Sequence, residues 1–498
     1  MSRVLGRSHP FRGDGRTLAL AITTIGVLLG TPMAAFAAWP QFQGDEGHDG
    51  LSDGPEAPLQ IEWTNTDIDI DGPDARGGLS PPVVADDGTI VTVAPTAVLG
   101  FSSSDGAPAF EAERDFGPSS QPAVAEGSDG PIVVFTEGYG DNPPASTASP
   151  SSPSPAEAGD GEEFDSHVDA VNLEGGPVWD APAALNALVL MPVAVDGETA
   201  YVGDVEGGVT ALALDTGEER WTADVGSPVA GAVSVDGDRA FVAALGSRQS
   251  AGAVVALDAA SGEELWRTSE EAISGNPVST PVIAGSSILV LEAGGVVSLD
   301  AEDGHLAWRT DIVNPLRSPP FLFQGTATPA PVSVEGWVYA VDVTGRVYAL
   351  DAETGAIRWD HALNDPSPVS PPIVASGQIL VPTDSGAIDA IDRATGDLVW
   401  RVDASEDGFL RGLADAGEAI VAVAGTDDPA LIAFDQDPDG TLIDTPSPTT
   451  FDLGRFVTGF VIGGFVFGAV LVALLRPVQR RLGPAVAVPS DRLLEEEA

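Results

Sequence analysis

The chain has 498 residues, of which 75 are acidic and 22 basic, for a net charge of −53, and every basic residue is Arg. That balance excludes nucleic acid as a partner, because phosphate binding needs a basic surface. The absence of cysteine excludes disulfides, thiol catalysis and cysteine-held metals, and a hydrophobic content of 43% excludes an acidic disordered chain.

At the start, Arg3, Arg7, Arg12 and Arg16 precede the uncharged run Leu18 to Ala38, with small residues at Ala35-Phe36-Ala37. Residues 1–37 read as a secretory signal peptide, with an uncleaved anchor as the alternative. Next, Asp67-x-Asp69-x-Asp71-Gly72 imitates the first half of a calcium loop, but Gly78 stands where the bidentate acid belongs. An acid-faced strand explains the same pattern, so no metal ligand is assigned. The five histidines are scattered and give no ligand-spaced pair.

From Trp63 onward one unit recurs: an alternating strand, a turn ending in Gly, and a second strand with an aromatic residue four positions after that Gly. Its clearest copies pair Gly262 with Trp266, Gly304 with Trp308, Gly355 with Trp359 and Gly396 with Trp400; Trp179 and Trp221 follow their own glycines, and Phe110 holds the position in a weaker copy. Intervals of about 40–50 residues suit one four-stranded propeller blade. The aromatic positions 63, 110, 179, 221, 266, 308, 359 and 400 count eight blades, or seven if the Phe110 copy is not one. A three-strand set ending at Leu431 to Asp435 has no aromatic strand of its own, and the strand around Trp63 is expected to complete it and close the ring. The propeller spans 38–450, with a low-complexity insertion at 141–166 and a second one around Asn314 to Thr326 that carries Phe321-Leu322-Phe323.

At the far end, Phe456 to Leu475 is charge-free and long enough to cross a bilayer, and Arg476, Arg480 and Arg481 follow it. The positive-inside rule makes 476–498 a cytoplasmic tail and the propeller extracellular on a single-pass cell-membrane protein. Gly459 with Gly463, and Gly464 with Gly468, would let two such helices approach closely.

The pattern Ala-x-Asp-x-x-Thr-Gly-x-x-x-Trp, at Ala349 to Trp359 and Ala390 to Trp400, resembles the docking motif of pyrroloquinoline-quinone-like (PQQ-like) propeller repeats. Trp39-Pro40-Gln41-Phe42, with Gly44, His48 and Gly50, is similar to the leader before the first blade in that family. The resemblance covers Trp39 to Asp435 and implies an all-β, eight-bladed propeller. Among members, the noncatalytic propeller of the outer-membrane barrel-assembly machinery is nearest in type. Other members are quinone- and calcium-dependent alcohol dehydrogenases, but their adjacent cysteine pair is missing here and no catalytic Asp or calcium set can be matched.

The expected function is therefore a membrane-anchored, noncatalytic scaffold that binds an envelope protein or surface polymer, without PQQ or calcium; a quinone-dependent oxidoreductase with a diverged site is the alternative. A composition this acidic resembles that of halophile secreted proteins, since near-molar salt shortens the screening length to about 3 Å. Transfer to dilute buffer is expected to abolish the circular-dichroism spectrum of the fold. An unchanged spectrum would contradict this reading of the surface.

Overall fold

In the computed structural model the described residues are 39–443, apart from 46, 69–77, 116, 118, 139–165, 247–250, 293, 313–329, 343, 364–369, 384, 406–409 and 426–428. The expected signal peptide, membrane helix and cytoplasmic tail lie outside them, as do residues 141–165 of the insertion, Phe321 to Phe323, and Asp69 to Gly72. Among the described residues no helix is long and apolar enough to cross a membrane.

Eight sheets, each a four-stranded antiparallel meander or built on one, form the blades. Blade 1 comprises Val83–Val84, Thr89–Val93, Ala97–Ser102 and Pro108–Glu113, so the copy with Phe110 is a blade and the count is eight rather than seven. Blade 2 comprises Ala123–Gly127, Gly130–Glu137, Ser166–Asn172 and Ala183–Leu185. Blades 3 to 7 have outer strands Glu219–Asp224, Glu264–Arg267, Leu306–Asp311, Ile357–Ala362 and Leu398–Asp403. The second strands of the blades are short apolar runs buried on both faces, such as Gln378–Pro382, whereas outer strands alternate, as in Glu219–Asp224 where Trp221 points inward among exposed neighbours.

In blade 8 the strands Leu410–Asp415, Ala419–Ala424 and Ala430–Gln436 are completed by Leu59–Asn65, which pairs antiparallel with Ala430–Gln436. The ring is thus closed by residues from opposite ends of the described chain. Closure removes the open side that blade 8 would otherwise present.

The repeated aromatic positions share one geometry. On the neighbouring strand of the same blade each faces a small residue: Trp221 opposes Ala211, Trp266 Ala256, Trp308 Ser298, Trp359 Ala349, Trp400 Ala390 and Trp63 Ala433. Phe110 opposes Gly100, where an added Cβ would stand 2.2 Å from the ring. A β-bulge next to each pair twists the outer strand and turns the ring toward the next blade.

There it lies over the turn glycine of that blade. A Cβ on Gly106, Gly217, Gly262, Gly304, Gly355 or Gly396 would come within 2.4–2.6 Å of the preceding blade's Trp63, Trp179, Trp221, Trp266, Trp308 or Trp359. The indole N–H then donates to a carbonyl of the same turn, Trp221 to Ala259 at 2.9 Å and Trp359 to Arg393 at 3.0 Å. Gly262 also has φ +72°, so two independent reasons require glycine there. Blade 2 departs from the repeat: Trp179 precedes its outer strand, Ala183–Leu185, and follows a single bridge between Val171 and Pro177. Pro177 has no N–H to extend that bridge into a ladder.

Candidate functional site: the two ends of the axis

Each blade's first strand has one edge facing the propeller axis, with backbone groups that no neighbouring strand can satisfy. At the turn end, where tight turns join first to second and third to fourth strands, those groups are met by the leader, residues 39–54. Trp39 exchanges two backbone bonds with Val84 of blade 1 (3.0 and 2.8 Å), and Val124 N of blade 2 donates to Pro40 O at 2.7 Å. On blade 3 the Gln41 amide imitates a strand, donating to Val195 O (2.9 Å) and accepting from Val195 N (2.8 Å).

Further along, His48 Nε2 stands 3.0 Å from Val233 O, beside blade 4. Ile283 N of blade 5 donates to Gly47 O, Ser333 N of blade 6 to Asp49 O and Val374 N of blade 7 to Gly50 O, at 2.9, 3.2 and 2.9 Å. Leu51–Ser52 then adds as a parallel fifth strand to blade 7. On blade 8, Asp415 Oδ2 accepts from Ser52 Oγ and Gly54 N, both at 2.8 Å. Sixteen consecutive positions, 39–54, thus reach all eight blades, with only His48 and Gly47 out of step.

Local chemistry explains the leader's residue types. Trp39 and Phe42 are buried, at 2% and 1% exposure, and Gly44, at φ +97°, lies beneath the Trp39 ring. A Cβ on Gly50 would stand 2.8 Å from Val332. His48 is fully buried, with Nδ1 2.6 Å from Phe42 O as well as Nε2 near Val233 O. A neutral imidazole donates through one nitrogen only. Burial disfavours the cation that would donate through both, and it holds the His48 pKa below its ordinary value of 6.5. Burial likewise pushes the Asp415 carboxyl up, against the N–H and O–H bonds it accepts from Gly417, Ser52 and Gly54.

The opposite, loop end carries buried charge. Glu292 accepts from Arg309 at 2.6 Å and Asp389 from Arg401 at 3.2 Å, each acid matched within its own blade. Arg411 opens blade 8's first strand, donates to Leu79 O at 3.1 Å and packs against Gly78; burial brings its guanidinium down to about 10. Arg114, donating to Ala94 O at 2.9 Å, is lowered to about 10 for the same reason. Back at the turn end, a cleft of about 300 Å³ between blades 1 and 3 is lined by Pro40, Gln41, Asp86, Val124, Glu126 and Val195.

Among the described residues no three His, Asp or Glu side chains gather as metal ligands. Asp67 is described, with its N–H donating to Asn65, but the rest of the half-loop is not. A quinone with its calcium ion needs such an oxygen donor set beside the axis. No such set of acidic side chains is found among the described residues, and no chemical step is assigned to that group. The aromatic repeat positions and their glycines, Gly262, Gly304, Gly355 and Gly396 included, lie between blades rather than on the axis. Gln41 was legible only as part of the leader motif, with no indication of its partner, and Asp415, which binds the leader to blade 8, carries no signal at the level of sequence pattern.

A family model described as outer membrane protein assembly factor BamB matches residues 165–315 and 323–444. A BamB of Nitrosomonas eutropha is 28% identical over 242 residues, 46% of this chain and 55% of that protein. A BamB of Yersinia pestis is 24% identical over 41% of this chain and 54% of its own length, so the chain spans about half of each of these relatives. In fold, the chain is similar to BamB from Moraxella catarrhalis, with a TM-score of 0.53 at 15% identity, covering 77% of this chain and 99% of that one. A europium-containing methanol dehydrogenase gives 0.58 at 13% identity, covering 80% and 98%. At these identities the likeness is one of fold alone.

Proposed function

The chain belongs to the PQQ-like β-propeller family of the outer membrane protein assembly factor BamB, and from that premise we propose that it is a noncatalytic scaffold, held at the cell surface by its C-terminal apolar segment, that binds an envelope protein through the loop end of the ring. The observation that carries this reading is the leader: the turn end of the axis is already occupied by the chain's own residues, which are bonded to seven blades and place His48 against the eighth. An assembly role is what the relatives' name describes, and here it is a proposal for a chain that spans half their length.

The entry and exit of the described chain support one orientation for such an anchored ring. Trp39 enters at the turn end. After blade 8 the chain turns at Asp437–Gly440, where Asp437 N donates to Pro58 O, and Ile443 N donates to Val399 O near the start of blade 7's outer strand, again at the turn end. The proposed anchor at Phe456 to Leu475 is separated by 12 residues, 444–455, from the last described position, Ile443, and this orientation puts the turn end toward the bilayer and the loop end away from it. The acidic composition fits a compartment rich in salt.

Because the chain has no cysteine, single cysteines make clean probes. Glu302→Cys marks an exposed turn-end residue and Glu270→Cys an exposed loop-end residue. With a photo-crosslinker on each, in membranes at molar salt, Glu270→Cys is expected to capture one stoichiometric protein partner and Glu302→Cys to label lipid. Protein capture from the turn end alone, or release of the uncrosslinked protein by alkaline carbonate, would sink the proposal.

A further inference from the structure

We propose that the turn end of the axis is a peptide-binding groove, and that residues 39–54 are its resident ligand, separable from the ring rather than part of the ring's own core. The ring is continuous without them: eight blades close through Leu59–Asn65 on Ala430–Gln436, downstream of the leader. What the leader meets is the set of first-strand edges, which already exist once the blades have formed. Pairing an extended segment against exposed strand edges, with pockets for alternate side chains, is a recognised mode of peptide binding.

The groove's chemistry specifies its ligand class. Backbone groups of Val84, Val124, Ile283, Ser333 and Val374 read main chain and are indifferent to sequence. Selectivity comes from three side-chain sites. Phe42 is buried in an apolar cluster that includes Ala232, Val278, Val282 and Leu289. Gln41 makes its paired amide contact with Val195, which neither a carboxylate nor an ammonium can reproduce, because each lacks either the donor or the acceptor. Asp415 accepts the Ser52 hydroxyl and the Gly54 N–H. The fitting ligand is an extended peptide headed by an uncharged Trp-Pro-Gln-Phe run, with small residues where Gly44 and Gly50 approach the ring.

The linker after the leader gives a place to cut. Asp53 is exposed, Pro55 and Glu56 are half-buried, and the ring's own bonds resume at Glu56, whose carboxylate accepts from Gly377 N at 3.4 Å, and at Ala57, which pairs with the Gln378 amide. A protease site inserted between Pro55 and Glu56 of the full chain severs the leader without removing it. In molar salt the cut protein is expected to keep its cooperative melt and retain the leader through gel filtration. It is then expected to exchange the leader for a fluorescent peptide of residues 39–54 to one per propeller, with a Gln41→Ala peptide competing at least tenfold more weakly.

Loss of the melt on cutting, or a leader that stays but never exchanges, would make the segment integral core and overturn the proposal. So would release of the leader with no saturable uptake of peptide, or equal competition by Gln41→Ala and scrambled peptides. This experiment reads the groove alone, and its outcome is independent of whether the loop end binds a partner.

Discussion

Trp221→Ala is expected to destabilise the propeller by about 3–5 kcal/mol, the range for truncating a large aromatic in a packed core. Trp221 is 7% exposed, lies 6.0 Å from the Tyr201 ring centroid, donates to Ala259 O and covers Gly262 of the next blade. Its loss removes the indole contact between blades 3 and 4 and leaves the Ala259 carbonyl with only the longer bond from the Tyr201 hydroxyl, at 3.4 Å. From the other side of the contact, Gly262→Ala places a methyl 2.5 Å from the indole at a backbone φ of +72°. Strain and overpacking together are expected to cost about 2–4 kcal/mol. In the double variant the added methyl enters the space the indole vacated, so only the backbone strain remains and the two effects are strongly non-additive. Denaturant melts of all four proteins in molar salt test this. Additive losses would show that the ring and the glycine do not touch.

The second large effect concerns closure. A chain beginning at Pro55 lacks the leader but keeps Leu59–Asn65; a chain beginning at Asp67 lacks both. The first loses the burial of Trp39 and Phe42, about 1.5–3 kcal/mol each, and a set of backbone bonds worth about 0.5–1.5 kcal/mol each. It is expected to retain a cooperative transition at a lower melting temperature. The second leaves Ala430–Gln436 as an open edge and uncovers Gly106, where Trp63 had packed. No cooperative transition is expected from it, and aggregation through the free edge should follow. Identical melts for the two chains would mean that Leu59–Asn65 does not hold the ring shut.

How much was legible in the sequence depends on the range of the interactions. The blade count came from a Gly-to-aromatic spacing of four residues, a local pattern that each blade must carry because its turn receives the preceding blade's ring. The weak copy at Phe110 is a blade because Gly100, opposite it, lets the ring settle where other blades place Ala or Ser. Closure by the Trp63 strand was readable as arithmetic, since the last set was one aromatic strand short. The leader's course was not readable. Its partners lie up to 363 residues away, as for Ser52 and Asp415, and most are backbone groups that leave no mark on side-chain pattern. Trp179 shows the converse limit: the spacing was regular, but Pro177 displaced the strand to the far side of the Trp.

The stitched ends of blade 8 also set how the ring carries load. Tension delivered through the C-terminal segment meets first the single bond from Ile443 N to Val399 O, and once that gives it reaches the ring at Asp437, whose N–H is bonded to Pro58 O at the head of Leu59–Asn65. The pull then runs along the two antiparallel strands, in shear across the register from Leu59–Gln436 to Asn65–Leu431, so several bonds must fail together instead of one at a time. A ring closed by a single continuous hairpin would have no such buckle at its point of attachment. In this chain the oldest residues of the ring, first out during synthesis, become the clasp that bears the strain on the last.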